Sequence, residues 1–286
     1  MNATVQIIAQ LYCYPEFRVA AHSRDATSSK TDAHTEFRHT FIEMLDNYHK
    51  PQTKMNDNQF RDYYHYTFLT TMDKIQFFNI CKGDFTLDVL LNSISGIIQD
   101  DILINLSATT LPTAPVQLLH LPLEPDCPRI NILCDLAYSL QNHKALRKYA
   151  LPKFLLLATD IVEVKKMFFI EDNGTMTSQK PPNGGVIFPH EIDLEANDKL
   201  MKYQLISMIN LQPKHAFAVV RYGKTWYWCN DQLVFELEKF FFDEAHKNGF
   251  FYIPEKSLVP DLYGRFLAAP RNEYAIPAVF LYELIS

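Results

Sequence analysis

Three stretches lie in quick succession: Tyr203-Gln-Leu-Ile-Ser-Met-Ile209, Lys214-His-Ala-Phe-Ala-Val-Val-Arg221 and Thr225-Trp-Tyr-Trp-Cys-Asn-Asp231. Each carries the alternating or β-branched and aromatic pattern of a strand. The second opens at His215 and the third ends in the polar pair Asn230 and Asp231. Tyr222-Gly-Lys224 between them is a short turn, so these two strands form a hairpin. A hairpin returns its ends to each other, and His215 is thereby set beside Asn230 or Asp231. Nucleophilic catalysis uses such a pairing, in which a third group orients the base. Working outward, Ala278-Val-Phe-Leu-Tyr-Glu-Leu284 is a further strand that would close the same sheet.

Composition narrows the class. A chain of 286 residues, 48% hydrophobic and 21% charged, can bury a sizeable core and is globular. No apolar run approaches the length of a membrane span, and no basic stretch followed by an apolar core marks a secretory signal. The five cysteines are odd in number and contain no CxxC pair. Neither a disulfide framework nor a zinc site follows, and a reducing intracellular setting, cytoplasm or nucleus, is expected. A net charge of −6 argues against nucleic acid as the partner. No phosphate-binding glycine loop or HExxH motif occurs, and no cofactor or metal is expected.

The strand order, with its leading tyrosine, histidine box, tryptophan strand ending in Asn-Asp and terminal Val279-Phe-Leu-Tyr-Glu283, resembles the C-terminal half of the ubiquitin-specific proteases. The likeness extends to other segments. Met1-Asn-Ala-Thr-Val-Gln6 resembles part of the family's cysteine-box helix, and Tyr14-Pro-Glu-Phe-Arg18 the segment after it. Leu151-Pro-Lys-Phe-Leu-Leu-Leu-Ala158 and Val186-Ile-Phe-Pro-His-Glu-Ile-Asp-Leu194 resemble two of its strands.

The resemblance implies an α+β, papain-like fold filling residues 1–286 as one domain. A helical lobe would span 1–80 and a β-rich lobe 81–286. It implies hydrolysis of isopeptide bonds at the C-terminus of ubiquitin, with ubiquitin or a related modifier as partner. Carried over position by position, His215 is the base, Asn230 its orienter and Asp231 a supporting acid. The family's nucleophilic cysteine precedes the matched Met by two residues and therefore falls before Met1. The resemblance thus implies a chain inactive as it stands, or a pseudoenzyme that binds ubiquitin or acts as a scaffold. A papain-like hydrolase using Cys13 is the third reading. Cys13 sits roughly 18 Å from the nucleophile position at ~1.5 Å per residue, at the wrong end of its helix to be activated.

Several features depart from the family pattern. Lys214 replaces a glycine, Ala216 replaces an aromatic, and Asn210 to Lys214 form only a short loop before His215. No Gln-Asp box is found near His65-Tyr-Thr-Phe-Leu69.

Elsewhere, Val5, Ile8, Ala9 and Tyr12 predict an amphipathic first helix stopped near Pro15. Phe37, Phe41, Met44, Leu45 and Tyr48 predict a second, and Phe60, Tyr64, Phe68 and Leu69 a third. Ala114–Leu123, bounded by prolines, reads as an edge strand. Ile132–Leu140 reads as a helix carrying Cys134. Leu151–Ala158 is a continuous apolar run, hence a buried strand. Asn173-Gly-Thr and Lys180-Pro-Pro-Asn-Gly-Gly185 are turns.

Overall fold

The computed structural model describes residues 153–159, 164–165, 169–172, 175–178, 185–196, 199–213, 215–230, 233–237, 239–253, 258–260, 266–268 and 273–285. It also describes strands at 103–105, 118–122 and 134–135, and scattered positions within 7–46. The predicted third helix, the turn at 180–184 and the Gln-Asp-box region lie outside these residues.

The architecture is dominated by antiparallel sheet. One large sheet runs in the order β1 (Leu103–Asn105), β2 (Leu118–Pro122), β4 (Phe154–Ala158), β16 (Glu273–Leu284), β9 (Lys199–Gln212), β10 (His215–Tyr222), β11 (Thr225–Asn230), β12 (Leu233–Glu236). β8 (Glu191–Ala196) pairs with the first half of β9, and β13 (Phe251–Ile253) with the start of β16. Only β1–β2 and β2–β4 are parallel within this order. Among the described residues there are also three two-stranded sheets: β3 (Cys134–Asp135) with β7 (Val186–Ile187), β5 (Phe169–Asp172) with β6 (Thr175–Ser178), and β14 (Leu258–Pro260) with β15 (Phe266–Ala268). A helix, α1, spans Lys239–Asn248.

The strands around the hairpin form where alternation predicts them. β4 is buried at every position, because it lies inside the sheet with both faces covered. β5 and β6 form the hairpin that Asn173-Gly predicts.

Five expectations are corrected. Ala114–Leu123 is not an edge: its strand, β2, is paired on both sides. Cys134 lies in a strand rather than a helix, held by a two-residue parallel pairing with β7 that leaves no periodic trace in the sequence. Val186–Leu194 is two strands, broken around Pro189. β16 does not close the sheet but sits near its middle, between β4 and β9. Asn210–Gln212 is not loop: β9 continues through it, pairing with Phe217, Ala216 and His215.

Alternation gives the sheet two faces. Val219 pairs with Met208 and Trp228, and Phe217 with Asn210, so His215, Phe217, Val219 and Arg221 share the tryptophan face. Ala216, Ala218 and Val220 share the other face with Ile209, Leu211 and Cys229. Phe217 and Trp228 stack at 4.2 Å and 6°, and Phe251 meets Trp228 edge-on at 6.4 Å. Phe188 covers Phe280 on this face and receives His246 of α1 through a hydrogen bond from Nδ1–H to its carbonyl.

The opposite face takes the helical residues near the N-terminus. Ile7, Leu11 and Phe17 are buried, and Tyr14 and Phe17 meet Phe154 edge-on at 4.8 and 5.2 Å. Tyr14 marks a bend, with Pro15 in the first turn of the next helical segment, where a missing N–H costs nothing. Ile42, also helical and buried, falls within the predicted second helix. The described residues form a sheet with helical residues against one face, and most of the helical lobe expected over residues 1–80 lies outside them.

Candidate functional site

His215 opens β10, one tight turn after Gln212, with which it pairs. It is half-buried, while every residue from Ala216 to Val220 is buried. Asn230 ends β11 and pairs with Leu233 of β12. The β10–β11 register runs from Tyr222 opposite Thr225, across the turn at Gly223 and Lys224, to Ala218 opposite Cys229. Gly223 has φ +60°, the left-handed geometry that a two-residue hairpin turn demands. Asn230 follows Cys229 at the end of β11, and His215 lies three residues before Ala218 at the start of β10. Lys214, Asp231 and Cys13 lie outside the described residues, as do positions 1–6.

Cys229 is fully buried on the face away from His215, opposite Ala218. Burial pushes its thiol well above the ordinary range. It is a core residue, not a partner for the histidine. Tyr14 and Phe17 also pack on that far face, against Phe154. Gln10 Nε2 donates to Arg221 O at 3.1 Å, at the end of β10 away from His215. At ~3.3 Å per residue, Arg221 is about 20 Å along the strand from His215.

Two features of the tryptophan face escape sequence reading. The first is Asn210, fully buried, with neither amide atom hydrogen-bonded among the described residues. It stands opposite Phe217 on one side and Pro277 on the other, beside a register shift between Pro277 and Val279. Such a group costs about 1–3 kcal/mol when left unpaired. The only sequence signal is a polar residue extending an apolar alternation.

The second is a cleft of ≈300 Å³ near the β10–β11 turn, whose lining includes His190, Gln204, Arg221, Trp226 and Asp243. It forms because β8 and β10 pair with successive parts of the same side of β9, leaving a notch between them. Burial, then the neighbouring His246, lowers the pKa of His190, against the pull of Asp243. The two rings are 4.8 Å apart. This cleft lies at the opposite end of β10 from His215.

Among the described residues no cluster of His, Cys, Asp and Glu could hold a metal ion, and no helix is long and apolar enough to cross a membrane.

No protein-family profile matches the chain, and no curated protein does. Solved structures are similar to it at low levels. A SAGA Ubp8/Sgf11/Sus1/Sgf73 DUB module bound to ubiquitin aldehyde matches at 16% identity and TM-score 0.27, covering 48% of this chain and 25% of that one. The same module in another structure matches at 13% and 0.28, covering 53% and 32%. A yeast SAGA DUB module carrying an Sgf73 mutant matches at 14% and 0.38, covering 98% of this chain and 64% of that one. The chain thus spans less than two thirds of each of these chains, and at TM-scores this low the likenesses carry no weight for fold or function.

Proposed function

We propose that this chain is a ubiquitin-specific-protease-type domain acting in protein deubiquitination, with His215 as the base and Asn230 as its orienter. The reading rests on the four ordered sequence segments. The observation that supports it best is that His215 opens β10 and Asn230 ends β11, neighbouring antiparallel strands of one hairpin. In this reaction a thiolate attacks the isopeptide carbonyl carbon. His215 holds the thiol's proton and delivers it to the leaving lysine amine. Asn230 accepts from the second ring nitrogen and fixes the tautomer. Asp231 supports the pair. The thiol belongs N-terminal to the helix that Met1–Gln6 resembles. None comes from Cys229, which is buried on the wrong face.

A second reading, a domain that binds ubiquitin or a related modifier without cleaving it, is favoured by two observations. β9 runs through Gln212, which pairs with His215, so no long loop precedes β10. The described N-terminal helical residues pack on the face opposite His215. Titration with ubiquitin tests both readings, and near-millimolar ubiquitin without binding refutes both. An electrophilic ubiquitin probe separates them. Fusing an Asn-containing loop and Thr-Cys-Tyr ahead of Met1 gives labelling if the domain is catalytic, abolished by His215→Ala. Binding without any labelling of the fusion leaves the second reading.

A further inference from the structure

The amide of Asn210 is fully buried and unpartnered among the described residues, on the tryptophan face and one row from the His215–Gln212 pair. Its row across the sheet is unusual on both sides. Pro277 opposite it has no N–H to give, and the β9–β16 register shifts next to it. Register shifts of this kind concentrate beside active sites, where they re-aim side chains. A native fold leaves few buried polar groups unpaired, and an apolar side chain of the same shape would fit here without the penalty. An asparagine amide presents N–H and C=O side by side, the complement of a peptide group.

We propose that Asn210 is a receptor for one peptide group of an extended polypeptide segment that docks beside His215. This rests on the function proposed above, in which the segment is the C-terminal tail of ubiquitin or a related modifier. Asn210 then weakens the chain by itself and strengthens the complex. Because the amide is covered in the chain alone, docking must open this row. Association is therefore slow, below the ~10⁵ M⁻¹s⁻¹ at which ordinary docking begins.

The test compares wild type with Asn210→Leu and Asn210→Ala, using thermal unfolding and titration with ubiquitin and with tail-truncated ubiquitin. Asn210→Leu is expected to raise the unfolding midpoint by about 2–4 °C. It is expected to weaken ubiquitin binding about tenfold, the equivalent of ~1.4 kcal/mol. Tail-truncated ubiquitin should bind wild type and variant alike. Asn210→Ala, which overfills nothing, should show the same loss of affinity. A variant pair that both lose stability, as when the amide holds a buried water, overturns the inference. Wild-type ubiquitin binding that neither variant weakens overturns it while sparing the proposed function. Absence of wild-type binding near a millimolar overturns both.

Discussion

Gly185 and Gly249 join β7 to the end of α1, and replacing Gly185 by alanine tests that joint. The Gly185 amide donates to Asn248 O at 3.1 Å, and Val186 N to Gly249 O at 2.9 Å. A methyl on Gly185 would land on the carbonyl oxygen of Gly249, 2.5 Å from its carbonyl carbon. Both obstructing atoms are backbone, so no rotamer change relieves the clash. Separating the two segments forfeits both hydrogen bonds, about 0.5–1.5 kcal/mol each. It also loosens the packing of Ala245 and the His246–Phe188 contact, for a total of about 2–4 kcal/mol. At about 2–4 °C per kcal/mol for a chain of this order, the unfolding midpoint should drop by about 5–15 °C. Gly223→Ala is the control. Nothing lies within 4 Å of a methyl there, and only its φ of +60° is strained, worth about 1 kcal/mol. Thermal unfolding followed by circular dichroism ranks the two. If Gly185→Ala is no less stable than Gly223→Ala, the close approach of these backbones is wrong and α1 is not docked on β7.

Phe217→Ala should cost about 3–5 kcal/mol in urea unfolding, because the ring is fully buried and stacked on Trp228. Stability should fall as pH rises above about 9, where the unfolded thiol of Cys229 ionises and the buried one does not. The buried phenols of Tyr203 and Tyr282, also held above their ordinary 10.0, deepen the fall further up. Cys229→Ala should remove the first part of that slope. At the acid end, His190 binds its proton less readily folded than unfolded. Its contribution should therefore be lost as pH falls below 6.5, and His190→Gln should flatten the profile there.

Local pattern made the centre of the sheet legible. β9, β10 and β11 alternate cleanly, and Gly223 fixes the turn between the last two. β4 announced itself as Phe-Leu-Leu-Leu-Ala, too apolar to have a wet face. The errors lie where structure depends on distant partners. β3 is two residues held by β7, and nothing local distinguishes it from helix. The prolines around β2 pointed to an edge, but β1 supplies the outer neighbour. α1 went unread although His246 and Lys247 in its last turn and Gly249 after it are termination signals. For the site, the hairpin expected from the sequence forms, with His215 opening β10 and Asn230 ending β11. In the sequence Asn210 reads as loop, because a polar residue after Ile209 looks like the end of a strand. Only the pairing partners reveal it as interior.

The central position of β16 has a consequence for how the chain is made. Residues 273–284 fill the gap between β4 and β9, both of which emerge from the ribosome much earlier. About 70 residues follow β9 before β16 is complete, some 4–14 s at ~5–20 residues per second. Throughout that interval β4 and β9 each present an apolar edge with unpaired amides and carbonyls, a template for association with other chains. Both edges stay open until β16 slots between them. Truncation a few residues short of Leu284 should reduce soluble yield far more than the deleted contacts alone suggest, and co-expressed chaperones should not restore it.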